Sequence, residues 1–269
     1  MGTNVAARRE LIMRRDIDEA IQGWPYDPEP GEVVAREVRA RDGRMVLQIR
    51  VELGLLQLEI EGRPDGVRPH NFATYLDFLR HRAAARGLAP GGKAPTWEME
   101  AIHCAEADRE FMQFYHRRVA WLSLQRYDQA LKDSEHTLTL MDFVARHSPT
   151  TEYVATHERF RGLVLFHRTQ AMAALALEKR KPEEAVDAVH DGIDRLSAHG
   201  ESLATDRESD DSVNDPLIEQ LRVLENEIRK NFAVAKTLKE QLDEAVATED
   251  YERAARIRDL IRLRGGAKR

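Results

Sequence analysis

The residues best placed to do chemistry in this chain lie in one short loop, Glu61-Gly62-Arg63-Pro64-Asp65-Gly66-Val67-Arg68-Pro69-His70. With Gln57 just ahead of it, the loop gathers Arg63, Asp65, Arg68 and His70 into a small polar group. Guanidinium groups held on a backbone stiffened by Gly and Pro can clamp a phosphate or a carboxylate. The same residues also fit two consecutive turns, with Asp65 capping a turn and pairing with Arg63 or Arg68. No Walker-type loop and no nucleophile accompanies them, so turn-making is the first expectation and anion binding the alternative.

The remaining candidates are poorer. There are ten histidines, but His157-Glu158 has no second His four residues after His157, as a zincin helix requires. His103-Cys104 has no further Cys or His near it. Carboxylate pairs are frequent because a third of the chain is charged, and such pairs are usually solvated helix faces. Neither a nucleophile elbow nor a dinucleotide-binding loop is present. The expectation is a protein without metal, cofactor or enzymatic activity.

The elements that must position the loop are strands. Val33 to Ala40 leads into Asp42-Gly43, a hairpin-turn signal. Leu47, Ile49, Val51 and Leu53 then alternate with polar residues, as in a half-buried strand. Gly54 interrupts, and Leu55, Leu56, Leu58 and Ile60 continue as a further strand or a bent continuation. This predicts a small antiparallel sheet of two or three strands. Before it, a short helix over about 6–22 ends at the proline-rich Gly23 to Gly31, with Trp24 and Tyr26 packing that segment onto the sheet. After it, Phe72 to Arg86 reads as an amphipathic helix, with Phe72, Tyr75, Leu76 and Leu79 on one face.

Length, 269 residues, allows one large domain or two small ones. The net charge of −6 argues against direct nucleic-acid binding by the chain as a whole. One cysteine, Cys104, excludes an internal disulfide framework and suits a reducing cytosol. No apolar run is long enough to span a bilayer, and the first residues lack the apolar core of a secretory signal. A cytoplasmic protein is expected, without a membrane partner.

From Trp97 to His199 the chain reads as helical, with Thr96 as its first cap. Two stretches share a pattern: Ala120-Trp121…Leu124-Gln125-Arg126-Tyr127…Ala130, and Ala173…Leu177…Lys181-Pro182…Ala185. Both resemble the tetratricopeptide repeat, in a degenerate array whose spacing exceeds the usual ~34 residues. Phe111, Phe114, Tyr115 and Trp121 are expected in its core rather than around a ligand. Glu152 to Leu177 reads as one helix. Glu201 to Asp215 reads as an acidic linker, and Asp215-Pro216 as a helix start. Beyond it, Leu217, Leu221, Leu224, Ile228, Asn231, Ala235, Leu238, Leu242 and Ala245 follow a four–three alternation, an unbroken heptad seam. Such a seam, with Asn231 as its polar position, offers itself to a second copy of the chain.

The last stretch, Leu238 to Leu263, reads as two helices joined by a tight turn. Asp250 caps the second, Tyr251 closes the open end, and Ala254 and Ala255 let the helices approach closely. The pattern Leu238…Leu242…Ala245…Asp250-Tyr251-Glu252-x-Ala254-Ala255-x-Ile257-Arg258-Asp259-x-Ile261 resembles the UVR (UvrB/UvrC) motif of bacterial proteins. It departs in having Leu263 two residues after Ile261 where the family's closing Leu comes three after. The sheet followed by Gly62-Arg63-Pro64-Asp65-Gly66 is also similar to the front of uncharacterised bacterial proteins that end in this motif. The resemblance implies a helical hairpin that docks other proteins, as in excision repair or Clp-type stress proteolysis. The implied contact residues are Leu238, Leu242, Tyr251, Ala254, Ala255, Ile257, Arg258 and Ile261.

The expected architecture is mainly α with a small N-terminal antiparallel sheet (α+β). Its parts are an α+β unit at 1–86, a Pro/Gly linker at 87–96, a helical region at 97–200, the acidic linker at 201–215, and a coiled-coil-like helix with the hairpin at 216–269. The expected function is a non-catalytic adaptor. The alternatives are a repair accessory touching nucleic acid through the basic C-terminus, and a ligand-binding protein or enzyme built on the Arg63–His70 loop.

Overall fold

The computed structural model describes residues 17–29, 32–86, 97–204 and 215–266. The fold is mainly helical with one small antiparallel sheet, and it forms two compact units that divide between Thr151 and Glu152. The expected Pro/Gly linker, the cap at Thr96, most of the first helix, and linker residues 205–214 lie outside the described residues.

In the first unit, β1 (Ala35–Arg39), β2 (Met45–Val51) and β3 (Gly54–Glu59) pair antiparallel in the order β1-β2-β3. Gly43, at φ 90, makes the first turn. Glu52 and Leu53 make the second, so the apolar run after Gly54 is a separate strand, with Val51 paired to Gly54. The central strand is covered on both faces: Val46, Leu47, Gln48 and Ile49 are all buried. Buried Gln48 is satisfied by a ladder across the sheet, because register places it opposite both Arg36 and Gln57. Arg36 Nε donates to Gln48 Oε1 at 3.0 Å, and Gln48 Nε2 donates to Gln57 Oε1 at 3.1 Å. Trp24 packs under the Arg36 guanidinium, 3.9 Å from ring centre to Cζ, while Tyr26 stays substantially exposed.

The helical turn α1 (Asp18–Ile21) precedes the sheet, and α2 (Tyr75–Arg86), α3 (Ala101–Ser123) and α4 (Tyr127–His147) follow. Helix α3 starts at Ala101 with Glu100 as its cap, closed by His103 in a capping box. One side of α3 is unusually rich in buried charge. Glu110 accepts from the free N–H groups of Tyr75 (2.5 Å) and Leu76 (3.0 Å), capping α2 from another helix. Arg117 holds Asp133 with two hydrogen bonds and also donates to the carbonyls of Glu59 and Gly62, both at 2.9 Å. Phe111, Phe114 and Trp121 are core residues, as their spacing predicts, and Tyr115 is half-buried.

In the second unit the expected single helix over 152–177 is two helices, α5 (Thr151–Glu158) and α6 (Arg161–Glu178). The stretch from Glu201 is likewise not linker at its start, because α7 (Pro182–Ala204) continues through it. Helices α6 and α7 approach closely: a Cβ added at Gly192 would stand 2.2 Å from Thr169 Oγ1. Helix α8 (Asp215–Phe232) lies on α7 and α6, and α9 (Leu238–Ala247) and α10 (Tyr251–Gly266) form the final hairpin.

The turns after α3 and α6 share one geometry. Gln125 and Arg180 sit at φ 57 and 56, and the N–H groups of Arg126 and Lys181 reach back to the carbonyls of Trp121 and Ala176. Each is a Schellman-type stop, and each next helix places a fully buried alanine, Ala130 or Ala185, against its predecessor. The similarity between these two sequence stretches therefore corresponds to two alike helix–turn–helix corners.

Candidate functional site

The heptad seam is broken at the point where the site begins. Helix α8 ends at Phe232, Ala233 adopts φ 51, and Val234 N–H bonds back to Arg229 O at 3.1 Å. A period of four and three cannot detect such a stop, since Ala233 carries neither Gly nor Pro as a signal. The first half of the seam is also occupied within the chain. Leu221 and Ile228 are buried where α8 meets α7 and α6, and Asn231 is exposed. The seam from Leu217 to Ala245 is thus not one continuous surface for a second copy.

The hairpin restarts at a strong cap. Thr237 Oγ1 accepts from the Glu240 N–H, and Glu240 Oε2 accepts from the Thr237 N–H at 2.6 Å, a complete capping box. Thr237 also donates to Asp187 Oδ1 at 2.6 Å, and Lys239 pairs with Asp191, so α7 anchors the base of the hairpin. Arg229 bridges the break by pairing with both Glu225 and Glu240. Burial raises the Glu240 pKa, but the Thr237 N–H and Arg229 outweigh it, and its carboxyl lies below the usual range. Burial has the upper hand at Asp187, whose carboxyl lies above it despite the bond from Thr237.

The two hairpin helices enclose a small core: Ala245, Ala254 and Ile257 are buried, with Leu238 and Leu242 packed against them. The turn is another left-handed stop, Glu249 at φ 58 with Asp250 N–H bonded to Ala245 O. Asp250 then caps α10 by accepting from Arg253 N–H at 3.0 Å, as the sequence predicts. Tyr251 does not close the pair; its side chain is 68% exposed at the tip.

Of the eight residues expected to make contacts, Tyr251, Arg258 and Ile261 face solvent, Ala254 and Ile257 are core, and Leu238, Leu242 and Ala255 are intermediate. Pattern reading missed the outward apolar residues Val246, Leu260 and Leu263, which are 52%, 50% and 71% exposed. Their signal was present. Ile257, Leu260, Ile261 and Leu263 are spread too widely around a helix for one face to bury them all. Leu263, the departure from the family spacing, lies outside the hairpin core.

The loop at 61–70 is used differently from a clamp. Arg63 is buried, its N–H bonds to Ala73 O, and its guanidinium is shared among Asp65, Glu106 and Gln113. Asp65 Oδ1 accepts from Val67 N–H and Oδ2 from Gln113, so it serves turn and helix together. His70, at φ 51, stacks on Phe78 with centroids 3.9 Å apart. Arg68 and His70 are both exposed, neither side chain with a hydrogen bond or ion pair to a described residue, and Arg68 lies at the rim of a groove of about 450 Å³. Among the described residues no group of three His, Cys, Asp or Glu side chains could hold a metal ion, and no helix is long and apolar enough to cross a membrane.

One family description, the UvrB/uvrC motif (UVR), matches residues 233–263, which is the hairpin from the break at Ala233 to Leu263. No curated protein and no solved structure matches the chain. UVR motifs in general mediate protein–protein interaction.

Proposed function

We propose that the protein is a non-catalytic adaptor that docks another protein through the UVR hairpin. The observation that carries this reading is the division of labour within the hairpin. Its core closes on itself around Ala245, Ala254 and Ile257, leaving Val246, Tyr251, Leu260 and Leu263 on the outside. Exposed apolar residues clustered on one small element mark a contact surface, whereas single scattered ones do not. Anchoring of the hairpin base on α7 presents this surface in a fixed conformation, which lowers the entropy lost on binding.

The helix corners at Gln125 and Arg180 add further surfaces suited to an adaptor, and the chemistry of the loop at 61–70 is largely absorbed in holding the first unit together. The setting we favour is cytoplasmic, in excision repair or in Clp-type stress proteolysis. The test is affinity purification from the native cell with the whole chain and with a chain stopped after Phe232. The shortened chain should lose its specific partners. An unchanged set of bound proteins would remove the hairpin from the docking role.

A further inference from the structure

Three basic side chains line one groove of the first unit, between α2 and α4. Helix α4 sets Phe143, Arg146 and His147 on one face, at steps of three and four, and α2 supplies Arg80 and Ala83, one turn apart. The groove holds about 360 Å³, at the lower end of the ~300–1,000 Å³ of small-molecule sites. Arg80 and Arg146 are exposed, and neither forms a hydrogen bond or ion pair with a described residue. His147 is only 8% exposed and is held in place: Nδ1 lies 3.0 Å from the Trp97 carbonyl oxygen, and the ring stacks on Phe143 with centroids 4.3 Å apart. A carbonyl only accepts, so Nδ1 carries a hydrogen, and Nε2 is the nitrogen left for a ligand.

Charge and hydrogen bonding are both unbalanced here. Two guanidinium groups line the groove against one carboxylate, that of Asp142. In the aromatic cluster beside it, the Trp97 ring centre lies 5.9 Å from that of His147 and 5.7 Å from Arg82 Cζ. Trp97 Nε1 and Arg82 Nε are both buried donors that meet no acceptor. Buried donors are ordinarily paired, so this end of the unit is short of acceptors. We propose that the groove binds a small organic phosphate, with its phosphoryl oxygens on Arg80, Arg146 and His147 Nε2 and its apolar body on Phe143 and Ala83. Three nitrogen groups call for an anion with three oxygens, which a phosphate has and a carboxylate lacks. Nε2 serves either form of the ligand: it accepts from the P–OH of a monoanion and, when the ring is charged, donates to a dianion. The site does not depend on the docking reading, and it is separate from the loop at 61–70.

The probe is phenyl phosphate, titrated into the full chain by isothermal calorimetry at low salt. Saturable binding at one site is expected, and inorganic phosphate, which brings no apolar body, should bind more weakly. Arg80→Ala with Arg146→Ala should weaken phenyl phosphate at least about tenfold, while Arg68→Ala, at an equally exposed arginine on another groove, should leave it unchanged. Circular dichroism should be the same for all these variants, because the three side chains are exposed. Among the ten histidines, the ring signals of His147 should shift most in nuclear magnetic resonance spectra on titration.

The proposal fails if phenyl phosphate does not saturate, if the double arginine variant binds it as tightly as the wild type, or if Arg68→Ala weakens it as much. Benzoate binding as tightly as phenyl phosphate would overturn the choice of a three-oxygen anion. Phenol binding as tightly would remove the anion from the site altogether. Loss of partners from a chain stopped after Phe232 bears on none of these outcomes, so docking and the phosphate site stand or fall separately.

Discussion

Glu110 shows how single side chains organise the first unit. Its carboxylate is fully buried, yet it serves two helix N–H groups and lies 3.0 Å from His136 Nε2, which stacks on Phe114. Glu110→Ala would leave two buried donors without acceptors, so we expect a loss of about 3 kcal/mol in urea unfolding. Arg63 presents the same logic in the loop that looks like an anion clamp. With its guanidinium shared among Asp65, Glu106 and Gln113, Arg63→Ala should destabilise by about 3 kcal/mol, read by urea unfolding. Arg68→Ala, at an exposed position, should change stability by no more than about 0.5 kcal/mol. The residue types were legible in the sequence. Which arginine was buried was not, because the acids that hold Arg63 include Glu106, far along the chain on α3.

At the scale of elements, helix ends decide the architecture. Gln125, Arg180, Ala233 and Glu249 all take left-handed conformations without being glycine, at a steric cost that glycine would not incur. Gln125→Gly and Arg180→Gly should each raise stability by about 0.5 kcal/mol in urea unfolding, the relieved strain being partly offset by chain entropy. Gly192→Ala should do the opposite, since its methyl would meet the Thr169 side chain; a loss of about 2 kcal/mol in the second unit is expected in the same assay. The base of the hairpin carries a pH dependence. Glu240 has a lowered folded pKa, so its stabilising bonds are present above its ordinary value of 4.5 and are lost as pH falls below it. Amide exchange at the start of α9 should accelerate in that acid range, and Glu240→Gln should remove the pH dependence of this step. Asp187, with its raised pKa, works in the opposite sense and softens the acid response without reversing its sign at Glu240.

At the scale of the whole molecule, the chain pairs a first unit built on buried polar contacts with a second that ends in an exposed, anchored hairpin. Chemistry that looked available in the first unit is mostly spent on cohesion, and contact surface that looked like core in the second is exposed. Stopping the chain after Phe232 should therefore abolish docking while leaving the unfolding of the first unit unchanged, as followed by the fluorescence of Trp97 and Trp121.

The sequence by itself determined an antiparallel sheet of two or three strands, the corner at Asp42-Gly43, the Asp250 cap and the UVR hairpin. Each of these is written in residues close together in the chain: a two-residue period, a turn dipeptide, a cap three residues from the N–H it serves. Only the tertiary structure decided that the heptad seam stops at Ala233, that Tyr251 lies outside, and that Leu260 and Leu263 remain uncovered. Periodicity says which side chains share a face; it does not say whether that face has a partner. That depends on residues distant in sequence, such as Asp187 and Asp191 on α7, which fix the base of the hairpin and leave its outer stripe free.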